Sequence, residues 1–167
     1  ATSLLLYSTQ AFALLSVSVG MPIGHTITDK TIHTAGYDAP SGFLIGVQLP
    51  IAMGLGIDSY KTKLKETDDY KLGTDMYNIF YQLPIPVINL IFGLGVGSIS
   101  VEGDGSEDWG KGSASQWYTS IGLPILPLFD FHISYRSITT KDLELPDGRK
   151  TDSSKSTVMG AGFAFNF

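Results

Sequence analysis

Residues 88–97 read Ile-Asn-Leu-Ile-Phe-Gly-Leu-Gly-Val-Gly, and their alternation decides the fold. Ile88, Leu90, Phe92, Leu94 and Val96 fall on one parity, with Asn89, Gly93, Gly95 and Gly97 on the other. Successive side chains of a β-strand point to opposite faces, so this is a strand with one greasy side and one small or polar side. The same split recurs along the chain. Leu15, Val17, Val19, Met21 and Ile23 oppose Ser16, Ser18, Gly20 and Gly24. Phe43, Ile45, Val47, Leu49 and Ile51 oppose Gly46 and Gln48, and Met53, Leu55 and Ile57 oppose Gly54, Gly56, Asp58 and Tyr60. Tyr77, Ile79, Tyr81 and Leu83 oppose Asn78 and Gln82. The last three strands present Trp117, Ile121 and Leu123, then Phe129, Phe131, Ile133 and Tyr135, then Met159, Phe163, Phe165 and Phe167.

Leu-Pro-Ile closes three of these stretches, at 49–51, 83–85 and 123–125, spaced 34 and 40 residues apart, and a fourth stretch ends at Phe167. The repeating unit is a rising strand, a charged loop, a descending strand and a short Pro-bearing turn. Proline has no N–H to give to a ladder and belongs where the ladder stops. The risers are Leu14–Ile27, Met53–Lys63, Ile88–Val101 and Phe129–Thr140, each followed by its descender, which predicts an all-β chain of eight antiparallel strands. Each needs roughly ten residues to cross a bilayer at a tilt.

The 11 basic and 16 acidic side chains gather in four clusters, around 29–38, 61–75, 102–111 and 141–155, leaving only Asp58, Asp130 and Arg136 outside them. These clusters are the long loops. The connections Pro50–Met53, Pro84–Val87 and Pro124–Leu128 are short and uncharged, which is the asymmetry of extracellular loops against periplasmic turns. No basic stripe suits nucleic acid. The chain has no cysteine, which excludes disulfides and thiol chemistry and suits an oxidising envelope. No apolar run is long enough for a spanning helix; the uncharged residues 1–28 are broken by Ser, Thr, Gln, Gly and Pro. Ala11-Phe12-Ala13 is similar to a signal-peptidase site, so residues 1–13 are read as an apolar lead-in or residual signal segment and 14–167 as the barrel.

Parity alone does not distinguish inside from outside, but composition does. The non-greasy face is Gly, Ser, Asn and Gln with scarcely a Lys or Glu, a poor coat for water and a good filling for a narrow lumen. The greasy face therefore meets lipid, with Tyr77, Trp117, Tyr135 and Phe167 as its interfacial girdles. The expected fold is a transmembrane up-and-down β-barrel.

The end of the chain, Gly160-Ala-Gly-Phe-Ala-Phe-Asn-Phe167, resembles the C-terminal signature of bacterial outer membrane proteins. With four hairpins, the chain resembles the small eight-stranded barrels of the OmpA-like, OmpX-like and OmpW-like superfamily over residues 14–167. That resemblance implies integral residence in the outer membrane. It further implies contact with outer-membrane lipid and recognition of Phe163, Phe165 and Phe167 by the barrel assembly machinery.

Asp58, Asp130 and Arg136, with His132, Gln48 and Gln82, are the candidate lumen network, since a charge in a narrow interior needs a partner. His132-Ile-Ser134 resembles the His-x-Ser element of lipid A deacylases, with Glu144 as the acid. The residues after Ser134 do not follow that family's pattern. Lipid A palmitoyltransferases have a loop histidine and a nearby Asp-Ser pair; His25 or His33, with Thr74-Asp75, are the analogues, and no Asp-Ser pair stands there. Asp104, Glu107 and Asp108 lack the spacing of a twelve-residue calcium loop. The leading reading has no catalytic residues, metal or cofactor. It is a barrel with a structural or interaction role through its loops or lipid-facing wall, with self-association through small residues such as Gly42, Thr119 and Ala161. A lipid A-modifying enzyme and a narrow channel are the alternatives.

Overall fold

The computed structural model describes residues 15–28, 40–50, 52–63, 71–83, 85, 88–102, 108–126, 128–144, 150–151 and 153–167. The lead-in assigned to 1–13 lies outside them. The strands are β1 Ser16–Thr28, β2 Ser41–Gln48, β3 Met53–Lys63, β4 Lys71–Leu83, β5 Asn89–Glu102, β6 Asp108–Leu126, β7 Phe129–Lys141, β8 Leu143–Glu144, β9 Lys150–Thr151 and β10 Ser154–Asn166. Eight of them close an antiparallel barrel in the order β1-β10-β7-β6-β5-β4-β3-β2, while β8 and β9 form a two-stranded ribbon within the last charged stretch. That ribbon carries no apolar alternation of its own, which is why the sequence reads it as loop.

Closure depends on the ends of the barrel sequence. β1 pairs with β10 from Ser16↔Asn166 to Thr28↔Lys155. Beyond the ladder, Phe167 N–H donates to Leu15 O at 2.8 Å and Leu15 N–H to Phe167 O at 3.4 Å. The aromatic residues of the last strand stack on β7: Phe165 lies 4.5 Å from Phe129 and Phe163 lies 5.6 Å from Phe131, centroid to centroid.

The registers line the greasy parity into one belt. Leu94 sits between Ile79 on β4 and Trp117 on β6, and Leu55 between Val47 on β2 and Ile79 on β4. Leu55 is 63% exposed, Leu94 65% and Val96 66%, values that in water would mark misplaced core residues and in lipid are the natural arrangement.

Inside, glycines make room for rings. Gly54 and Gly93 both pair with Phe80, and Gly93 also pairs with Tyr118. A Cβ on Gly93 would lie 2.1 Å from the Tyr118 ring, and one on Gly54 2.1 Å from the Phe80 ring. The alternation of Gly with bulky residues is thus a packing requirement of a narrow interior.

The ladders shift register in three places. In β1 the register against β10 shifts between Pro22 and Gly24, and in β6 it shifts against β7 between Pro124 and Leu126. These two fall at a proline, whose missing N–H leaves a gap that a bulge absorbs. β6 therefore runs through Pro124, which pairs with Asp130, where the sequence places the start of the turn. The third, between Ser100 and Val101 of β5, falls opposite Gly110 of β6, whose φ of 58° suits a bulge.

The partition of polarity also reverses along the barrel. Toward the charged end, the outward positions become Ser59, Lys61 and Lys63 on β3 and Ser113 and Ser115 on β6. The inward set there is Leu44, Leu72, Met76, Ile99, Val101, Ala114, Ile138 and Val158, a buried apolar cluster that includes Tyr60. The lumen is therefore not uniformly small and polar, as the composition of the greasy-strand segments suggests. The outer part is a collar with an oil-filled core and a wet exterior, set on a belt with the opposite arrangement. Strands that project past the hydrocarbon meet water, and the hydrophobic effect then places the apolar side chains within.

Replacing Gly93 with Val should destabilise the barrel by about 1–3 kcal/mol through overpacking against Tyr118. Urea unfolding in micelles followed by tryptophan fluorescence reads this loss, and Gly93→Val combined with Tyr118→Ala should recover part of it.

Candidate functional site

The two inward-facing charges near mid-barrel come from strands on opposite sides. Asp58 on β3 and Arg136 on β7 are both buried, and they meet across the lumen: Arg136 Nε donates to Asp58 Oδ2 at 2.9 Å and Nη2 to Oδ1 at 3.2 Å. This is a two-pronged guanidinium–carboxylate contact. Gln116 Nε2 adds a donor to Asp58 Oδ2 at 2.7 Å and also donates to Asn78 Oδ1. Arg136 Nη1 donates to Ser134 Oγ, and its guanidinium carbon lies 4.8 Å from the Tyr118 ring centroid. The guanidinium is thereby held on several sides.

Asp130 belongs to a separate layer nearer the Pro-bearing turns. Its Oδ2 accepts from Asn89 Nδ2 and, at 2.9 Å, from Asn166 Nδ2, while Gln82 Nε2 donates to Asn89 Oδ1 at 2.7 Å. Its charge is stabilised by amide donors, not by Arg136. Gln48 is buried in the same lower lumen, opposite Ser16 and Gly54, and bonds to none of Asp58, Asp130 and Arg136.

The hydrolase candidates do not converge. Ser134 is occupied by Arg136, and the hydroxyl that contacts His132 Nδ1 is Ser120 Oγ, at 3.5 Å. A serine nucleophile needs its base within hydrogen-bond reach, and His132 and Ser134 form no such pair. The Glu144 side chain lies outside the described residues. His132 lines a cavity of about 60 Å³ together with Ser18, Gly46, Ser120 and Arg136. Small-molecule sites start near ~300 Å³, so this space suits water molecules and not an acyl chain.

His25 is a correction to the sequence reading. It is not in the first loop but in β1, buried, with Nδ1 2.8 Å from Thr62 Oγ1 and its ring edge-on to Tyr60 at 6.0 Å. The bulge at Pro22–Gly24 shifts the parity and turns His25 inward. Thr74 is buried in the lumen while Asp75 is exposed and accepts from Ser59 Oγ at 2.6 Å, so these neighbours face opposite sides of the wall. His33, Asp104 and Glu107 lie outside the described residues, as does the side chain of Asp108. Among the described residues no group of His, Asp and Glu is arranged to hold a metal ion.

Gln116, Asn78, Asn89, Asn166 and Tyr118 are network members that the search for charge overlooked. The available signal was parity, since each shares the inward face with a charge or a glycine. Gly42 also changes meaning: its φ is +152° and a Cβ would lie 2.2 Å from Ser59 O, so the backbone requires glycine there whatever the outside of the wall contacts. On that outside, Met53, Ile79, Tyr81, Phe92, Leu94 and Trp117 border an apolar groove of about 370 Å³ over Gly93.

No family profile matches the chain, and no curated protein does. Solved structures do. Neisserial surface protein A (NspA) superposes with a TM-score of 0.70 at 12% identity, covering 92% of this chain and 96% of its own. Ail, the attachment invasion locus protein of Yersinia pestis, superposes with a TM-score of 0.52 at 16% identity, covering 90% and 97%. The chain has the fold of the small eight-stranded outer membrane barrels.

Removing one member of the buried pair should cost about 3–5 kcal/mol, because the other is left charged and unpaired. A double-mutant cycle with Asp58→Ala and Arg136→Ala, read by urea unfolding in micelles, should show the double variant losing well under the sum of the two single losses. Additive losses would mean that the contact contributes nothing.

Proposed function

We propose that this chain is an integral outer-membrane barrel without catalytic activity, working as a scaffold that holds its four charged loops at the cell surface. The observation that carries the reading is the pairing of a continuous apolar exterior with a lumen closed by the Asp58–Arg136 and Asp130 layers. A cavity of about 60 Å³ leaves little room for a substrate or a diffusing solute. The composition of the loops, rich in Lys, Asp and Glu, suits contacts with charged partners. Exposed Phe163, Phe165 and Phe167 on the closing strand are the residues by which the barrel assembly machinery would engage the chain. The names of NspA, a surface protein, and of Ail, an attachment protein, are in keeping with a surface role.

Self-association through the wall is a second reading, favoured by the apolar groove over Gly93, whose aromatic border offers a neighbouring barrel an indentation to fill. Crosslinking in native membranes separates the two arrangements: a ladder that collapses to monomer on Leu94→Trp, which fills the groove, indicates wall contact, and monomer alone indicates a solitary scaffold.

The scaffold reading predicts three results together. Cells with and without the protein should carry the same lipid A acyl pattern by mass spectrometry. Planar bilayers should show no sustained unitary current from the wild type. Arg136→Ala, which leaves the Asp130 layer and the apolar cluster around Met76 in place, should show none either. A changed acyl pattern, or steady conductance of the unaltered protein, would overturn it.

A further inference from the structure

The exterior of the collar is not uniform around the barrel. On the side formed by β3, β4 and β5, charges of both signs meet: Lys61 Nζ donates to Glu102 Oε2 at 2.7 Å, Lys71 stands opposite Glu102, and Asp75 is bonded by Ser59. On the side formed by β6, β7 and β10, with the edge of β5, the pattern is different. Lys111 stands opposite Ser100; Lys141 stands opposite Ser113, itself opposite Ser98; and Lys155 stands opposite Thr139, itself opposite Ser115. Each of these exposed lysines thus faces a hydroxyl across the ladder and not a carboxylate. Among the described side chains, two acids border this sector: Glu102, two residues beyond Ser100 on β5 and bonded to Lys61, and Asp142, at the bend after Lys141.

Below the sector lies its membrane edge. Trp117 and Tyr135 are exposed, with ring centroids 5.7 Å apart, and they mark the boundary between hydrocarbon and headgroups. Lys111 and Lys141 each lie six residues beyond those rings on their own strands. At ~3.3 Å per residue and a tilt of roughly 40°, that places the ammonium groups about 15 Å above the rings, with the hydroxyls in between. A phospholipid headgroup layer is only about 5–8 Å deep, too shallow to span from ring to lysine. A headgroup that satisfies both the hydroxyl ladder and the lysines must be taller, hydroxyl-bearing and anionic.

We propose that this sector of the collar binds the phosphorylated sugar headgroup of an outer-leaflet glycolipid, whose acyl chains run down the apolar wall beneath Trp117 and Tyr135. The proposal rests on the membrane placement argued under the proposed function. Ammonium groups supply charge-assisted donors to phosphate, and the Ser and Thr hydroxyls give and accept bonds with sugar hydroxyls. Neighbouring strands hold these groups in fixed register, so the surface is preorganised for a rigid headgroup.

The test uses the full chain refolded in micelles and titrated with bisphosphorylated lipid A, read by native mass spectrometry and tryptophan fluorescence. Saturable binding is expected, and Lys111→Gln/Lys141→Gln/Lys155→Gln should weaken it about tenfold or more. Ser115→Val/Thr139→Val, which keeps β-branched or strand-favouring side chains, should weaken it less, and Lys61→Gln/Lys63→Gln/Lys71→Gln should leave it unchanged. Wild-type affinity in the first triple variant would overturn the proposal, as would equal affinity for dephosphorylated lipid A or phosphatidylglycerol. Displacement by millimolar inorganic phosphate would likewise overturn it, since the sector would then take the anion alone. Gel mobility with and without heating reports in the same samples whether the barrel is folded. Folding in micelles with unselective binding sinks this inference alone, whereas a chain that folds without amphiphile sinks the membrane placement as well.

Discussion

Everything in this protein follows from the need to pair every backbone N–H and C=O in a medium that offers no partner. An unpaired group in hydrocarbon costs several kcal/mol, so a sheet can cross only if it has no edge. The chain meets that demand by joining its last strand to its first, with Phe167 and Leu15 exchanging hydrogen bonds past the end of the β1–β10 ladder. Once the sheet is closed, alternation leaves each side chain two choices, lumen or wall. The belt residues take the wall because lipid accepts them at no cost. The lumen must then be filled by what remains, and eight strands leave a bore that side chains fill.

The filling is layered. Near the Pro-bearing turns, Asp130 is surrounded by amide donors; above it Asp58 and Arg136 span the lumen; above them lies the apolar cluster around Met76 and Ile138. Each layer matches a different surrounding. Where the wall faces lipid, polar groups have only one another to bond with and gather inside. Where the wall faces water, the ordinary rule for soluble proteins returns and the apolar residues go inside. A buried ion pair contributes little net stability compared with a well-packed apolar replacement, but it strongly penalises any arrangement that separates its members. In a cylinder held by repetitive ladders, such a penalty disfavours slipped registers, which would carry Asp58 and Arg136 apart.

Much of this was legible in the residues. The strand count and the outward set follow from period-two alternation, and the registers place that set in one belt; the turn read at Pro124 starts later, because β6 continues to Leu126. Parity also puts Asp58, Asp130 and Arg136 on the lumen side, but not which partner each would meet, because cross-lumen neighbours depend on the stagger of the strands. His25 was misplaced for a specific reason: Pro22 introduces a bulge that no count of alternating residues anticipates. The apolar collar core is missed because Leu72 lies in the charged 61–75 stretch read as loop, while Ile99 and Val101, inside the riser Ile88–Val101, lie past Gly97, where the parity count ends. Gly42 illustrates the opposite error, a residue read as a surface feature whose presence is dictated by backbone geometry.

The orientation of the wall is the claim on which the rest stands, and the absence of native cysteine makes it directly measurable. Single spin labels at Leu55→Cys, Leu94→Cys and Ser115→Cys, in protein reconstituted into bilayers, report collisions with dissolved oxygen, which concentrates in hydrocarbon, and with a water-soluble nickel chelate. The account predicts oxygen-dominated relaxation at positions 55 and 94 and chelate-dominated relaxation at 115. Chelate access at 55 and 94 equal to that at 115 would contradict it.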